Sequence, residues 1–225
     1  MRGLNRVIVT ILASAVILCS ATYQGSSNSL PLDRVLSDFT MNDATIADAV
    51  AHLLVSNQLS GGIALNANCN MQPMLDDTKQ SFNLSGLTVK QALDEIVGRD
   101  KRYHWQQQNH SIVLSPVSGM PELLKTRVER FEVDNPRYTL SAASGELLQL
   151  PEVKSRKKQL DLKEGLQYII GGADRRDILK GKVSVADVSM YEALNAIAQT
   201  NGGAVWRYSE YNCGKVNEFS ITWIR

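Results

Sequence analysis

The side chains of widest chemical reach in this 225-residue sequence are three histidines, His52, His104 and His110, and three cysteines, Cys19, Cys69 and Cys213. A histidine acting as general base or metal ligand needs a partner at a spacing that one helix face can close, such as H-x-x-x-H or H-x-x-E-H. None of the three has one. Redox or zinc chemistry at cysteine uses C-x-x-C pairs, and these are missing too. No nucleophile elbow G-x-S-x-G, phosphate loop or G-x-G-x-x-G turn occurs. The expectation is therefore a protein that is not an enzyme, with no catalytic, metal-binding or cofactor-binding residues and no cofactor. An envelope hydrolase is the weakest of three functional readings, because no nucleophile and base can be put together.

Binding chemistry is better represented. Trp105, Trp206 and Trp223 could stack on a sugar or peptide, but an indole buries about 150–250 Å² and more often serves a core. Trp105 and Trp206 are expected in the core, and Trp223, near the end of the sequence, is the candidate for ligand stacking. Net charge is +1, from 24 Lys and Arg against 23 Asp and Glu, which lacks the basic excess of a nucleic-acid binder. The basic run of residues 154–158 reads as a solvated helix face.

The first residues carry an address. Arg2 and Arg6 precede an uncharged stretch from Val7 to Cys19, followed by Ser20 and Ala21. That is the order of a secretory signal, expected over residues 1–21 with a linker at 22–32. The stretch is too short to span a bilayer, which takes about 20 apolar residues. No second apolar run is long enough either, so no transmembrane segment is expected after signal removal. The expected location is periplasmic or secreted. Lipid anchoring through Cys19 is a minor alternative, because Leu18 is bulky where a lipobox wants a small residue. In an oxidising compartment Cys69 and Cys213 could pair, contributing roughly 4–5 kcal/mol by closing so long a loop, and the sequence leaves that pairing open.

These residues sit on elements that the sequence writes twice. Thr88 with Gln91, and Ser189 with Glu192, are capping boxes 101 positions apart. Behind them Val89, Ala92, Leu93, Ile96 and Val97 recur at helical spacing, as do Met190, Ala193, Leu194, Ile197 and Ala198. Trp105 and Trp206 keep the same separation. Alternating strands precede each helix, at Phe82–Ser85 and Val183–Ala186, and a hairpin ends each copy. The second hairpin is longer and reads as an extended loop over residues 207–218, with Tyr211, Asn212, Cys213 and Gly214 at its tip as the candidate partner-binding hairpin.

A third capped helix is expected from Thr45 and Asp48, after a strand near Val35 to Met41 and before one at Gly61 to Leu65. The first copy thus reads β-α-β-β-α-β-β over residues 33–115. Residues 116–122, with two prolines and a glycine, read as a linker, and residues 123–225 as a more divergent second copy, with a strand over Arg127 to Val133 and a helix over Leu140 to Leu150. Between residues 151 and 182 the pattern leaves helix and strand open. The fold class is α+β, two small modules with short helices on short sheets.

T-x-x-Q-A-L ahead of an aromatic-ended strand and a terminal hairpin resembles the secretin and TonB short N-terminal (STN) domain, itself similar to the N0 domain of secretins. The resemblance covers residues 33–115 well and 127–225 more loosely. It implies a periplasmic, non-catalytic domain that binds other envelope proteins, whether secretion-system components or regulators of TonB-dependent signalling. No barrel-forming region follows in this sequence, so the channel function is not implied. The expected function is an exported interaction or scaffold protein with another envelope protein as partner; the alternative is a glycan- or small-ligand-binding periplasmic protein.

Overall fold

The computed structural model describes residues 31–67, 78–135, 137–165, 178–213 and 216–225. The signal peptide of residues 1–21, Cys19, Cys69, Gly214 and the side chains of Asn212 and Cys213 lie outside the described residues, so the proposed disulfide does as well. The protein is mixed α+β, with five helices and ten strands among the described residues. In order these are β1 (Thr40–Ala44), α1 (Ile46–Ser56), β2 (Gly61–Ala67), β3 (Gln80–Asn83), α2 (Val89–Gly98), β4 (Tyr103–Gln108), β5 (Ser111–Pro116), β6 (Arg127–Val133), α3 (Leu140–Gln149), α4 (Pro151–Gln159), β7 (Lys163–Glu164), β8 (Val183–Ser189), α5 (Met190–Thr200), β9 (Val205–Cys213) and β10 (Val216–Ile224).

Four of the helices begin at a hydroxyl that satisfies an otherwise orphaned backbone N–H: Thr45, Thr88, Thr139 and Ser189 accept from Asp48, Gln91, Ala142 and Glu192. At Thr88 and Ser189 the capping box is complete, with the Gln91 and Glu192 side chains reaching back to the cap N–H. Helix α4 has no side-chain cap and starts on Pro151, whose missing N–H costs nothing at a first-turn position. The basic run lies on this helix, whose single buried residue is Val153; Lys154 and Lys158 are exposed, whereas Lys157 turns inward, its ammonium 5.7 Å from the centre of the Phe219 ring, and Arg156 pairs with Glu122 at 2.8 Å, so the run is only in part a solvated face.

A six-stranded sheet in the order β4-β5-β2-β9-β10-β7 forms the middle layer. Within it β4 pairs antiparallel with β5 and β5 parallel with β2; likewise β9 pairs antiparallel with β10 and β10 parallel with β7. The two triplets meet where β2 pairs parallel with β9, from Gly61 opposite Val205 to Ala67 opposite Tyr211. Strands from both sides of residues 116–122 therefore share one ladder. Two small antiparallel ribbons, β1-β3 and β6-β8, accompany it.

Because side chains alternate across a strand, the sheet feeds two cores. Ile63, Leu65, Ile112, Leu114 and Val205 pack with α1 and α2 on one face, while Ala64, Val113, Trp206, Tyr208, Phe219 and Ile221 pack with α3 and α5 on the other. Strand β5 is buried along its whole length, as a strand covered on both faces must be.

Residues 163–164, in the stretch whose pattern is open between helix and strand, form a short strand against β10. Two expectations shift. The first strand begins at Thr40 rather than near Val35, which makes only an isolated bridge to Thr88. The final hairpin is not an extended loop: β9 and β10 run nine residues each, and the ladder holds from Val205 opposite Ile224 to Cys213 opposite Val216. Alternating Trp206, Tyr208, Phe219 and Ile221 give it an apolar face, and β2 braces its outer edge as far as Tyr211.

Candidate functional site

The two matched tryptophans are built alike. The Trp206 indole Nε1 donates to Asn195 Oδ1 at 2.8 Å, and the Trp105 Nε1 donates to Asp94 Oδ1 at 2.9 Å. In each case the acceptor stands on the preceding helix, eleven residues before the ring. The surroundings differ. Trp206 is fully buried and Asn195 is 3% exposed, whereas Trp105 is half-buried and packs at the rim of its core. Lys90 pairs with Asp94 at 2.8 Å and holds its ammonium 6.0 Å from the Trp105 ring centre.

What covers Trp206 is strand β2. Gly62 lies opposite it in the ladder, and a Cβ on Gly62 would stand 1.9 Å from Cε2 of the ring. Only glycine leaves the indole room to lie over the neighbouring backbone. At Trp105 no strand lies beyond among the described residues, where β4 ends the sheet.

The contact between the two triplets is polar as well as apolar. Ser60 Oγ donates to the Ala198 carbonyl and accepts from Gly203 N–H, and Arg207 reaches Asp48 on α1 at 3.2 Å. Gln108 Nε2 donates to Tyr191 Oη at 2.7 Å, and Gln199 Nε2 donates to the Asn109 carbonyl and to Ser111 Oγ. Burial first, then the nearby Glu210 carboxylate, pushes the Tyr208 phenol well above its ordinary range; its hydroxyl donates to Glu210 at 2.5 Å.

The residues picked out by type are scattered. His52 is exposed on α1 with its ring 5.4 Å from Phe39; His104 is exposed on β4 with Nε2 3.4 Å from Ser115 Oγ; His110 occupies the β4-β5 turn at φ 64°. No group of three His, Cys, Asp or Glu side chains gathers among the described residues. Trp223 is partly buried against the α3 and α5 core, and its indole donates to Ser144 Oγ at 3.2 Å, which turns its polar edge inward. Tyr211 is half-buried in the ladder of β9.

A hollow beside β6, lined by Arg130, Glu132, Tyr138 and Glu146 among others, carries the Arg130–Glu132 ion pair at 2.8 Å. Lys182 and then Arg130 hold the Glu132 carboxyl down to about 2. Nothing there converges on a ligand position. The residues that sequence reasoning missed are Gly62, Asp94 and Asn195. The signal for the last two was present in the sequence, a polar acceptor eleven positions before each tryptophan.

No family model, curated protein or solved structure matches this chain.

Proposed function

We propose that this chain is an exported, non-enzymatic interaction or scaffold protein of the bacterial envelope, made of two modules of the STN and secretin N0 kind and acting on another envelope protein. The observation that carries the reading is the duplicated geometry: two strand triplets with the same pairing, each with a tryptophan tied to its preceding helix at the same spacing. Repeated small modules whose polar groups are spent on holding the fold suit docking rather than turnover, since turnover requires a nucleophile, base or metal held in reach of one another.

Affinity capture of the tagged mature protein from an envelope extract tests this. A partner protein recovered in a fixed molar ratio is the expected result, and recovery of none contradicts it. Quenching of tryptophan fluorescence by sugars or peptidoglycan fragments, lost in Trp223→Phe, would favour the glycan-binding alternative instead.

A further inference from the structure

One strand edge occurs twice in this molecule, and among the described residues a strand covers only one copy of it. Strand β9 pairs with β10 on one side and receives β2 in parallel on the other. Strand β4, which carries the matched tryptophan, pairs with β5 on one side and ends the sheet on the other. The indole of Trp105 is fixed by the same bond from the same helix position as that of Trp206. Its pose is therefore the one that, in the other copy, reaches over the backbone of an added strand.

The edge itself is open to pairing. The β4-β5 register is unbroken from Tyr103 opposite Pro116 to Gln108 opposite Ser111, and β4 holds no proline, no lysine and no bulge. Those are the devices by which proteins ordinarily block an exposed edge. The opposite end of the sheet, β7, is two residues long.

We propose that β4 is a docking edge for an extended segment of another protein, which adds as a parallel strand with a glycine against Trp105, as β2 lies on β9. This rests on the interaction reading above and names its surface. The ladder bonds give such a segment its affinity and the alternate side chains its selectivity. Glycine is required where the indole crosses, and the opposite face of the added strand meets His104 and Gln106, both exposed and polar. No described edge strand of a second copy of this chain fits the requirement. Among the described residues the strands with an unpaired side are β1, β3, β4, β6, β7 and β8, and none of them contains a glycine.

The probe is a synthetic peptide of the sequence Ser-Gly-Gly-Ile-Ala-Leu-Asn-Ala, that of residues 60–67, titrated into the ¹⁵N-labelled protein. Shifts confined to the amides of residues 104–108 and the Trp105 indole are expected, with at least about tenfold weaker binding when the second glycine is valine. Shifts elsewhere, no shifts at millimolar peptide, or equal binding of the valine peptide would overturn the proposal. So would self-association of the protein through β4 on concentration.

The captured partner provides the second arm. Gln106→Lys with Gln107→Lys should abolish capture while the melting temperature and the Trp206 emission stay unchanged, and Gln106→Pro should do the same if it folds. Capture that persists with the lysine pair leaves the interaction reading standing and removes β4 from it. A wild-type protein that captures nothing removes the interaction reading itself.

Discussion

At the scale of single residues, the two tryptophans show how burial chooses between near-isosteres. Each indole needs an acceptor, and a carboxylate or a side-chain amide can supply it. Asp94 does so at half exposure beside Lys90, where solvent and the ammonium offset its charge. Asn195 does so at 3% exposure, where a charge would be costly and a neutral amide is not. Asn195→Asp should therefore cost about 2–4 kcal/mol at pH 7, while Asp94→Asn stays within about 1 kcal/mol. The buried carboxyl would have a raised folded-state pKa, so the cost is absent below the ordinary aspartate range and grows as pH rises through it. Denaturant midpoints of the variant at pH 4 and pH 7 check the sign.

Glycine gives a second contrast at the same scale. Gly62→Ala places a methyl carbon inside the Trp206 ring and should cost about 3 kcal/mol or more. Gly145→Ala, in α3 with open space around it, should stabilise by about 0.5–1 kcal/mol. Thermal melts of the two variants should move in opposite directions.

At the scale of elements, the duplicated capping boxes should respond alike. Thr88→Ala and Ser189→Ala each remove an N-cap and its reciprocal bond, and each should cost about 1 kcal/mol in chemical denaturation. These helices were legible in the sequence because cap, spacing and apolar stripe agree. Helix α4 was not, because it carries no stripe: Pro151 and a last turn of Arg156, Lys157 and Lys158 are its only markers, and charge runs are read as loops as easily as helices. The length of the final hairpin's ladder is hidden in the sequence for a related reason. Extra residues between two tryptophan-bearing strands look like a loop when the third strand that braces them, β2, lies more than a hundred positions away. Of the candidate site, the matched tryptophans were visible as a spacing. The glycine that admits Trp206 was not, since its reason lies on another strand.

At the scale of the whole molecule, the two triplets keep the same left-to-right order in the sheet, β4-β5-β2 and then β9-β10-β7. Their strands run in opposite directions, and their helices cover opposite faces. A half-turn about a line crossing the strands, with a shift along it, relates them. Such an operation does not close on itself, so it leaves unlike edges at the two ends. One of these, among the described strands, is β4, the edge proposed above for docking.

The joint between β2 and β9 makes a sharp demand on the energetics. It contains the buried Trp206, whose removal should cost about 3–5 kcal/mol, and parallel pairing over seven residues. The halves are thus one cooperative unit rather than two tethered ones. Native-state hydrogen exchange of the amides of Gly61–Leu65 and Val205–Tyr211 tests this most directly. The structure predicts that they exchange only through global unfolding, with the same free energy and denaturant dependence as the buried amides of β5 and β10. Exchange of the joint through a smaller opening, while β5 and β10 stay protected, would contradict it.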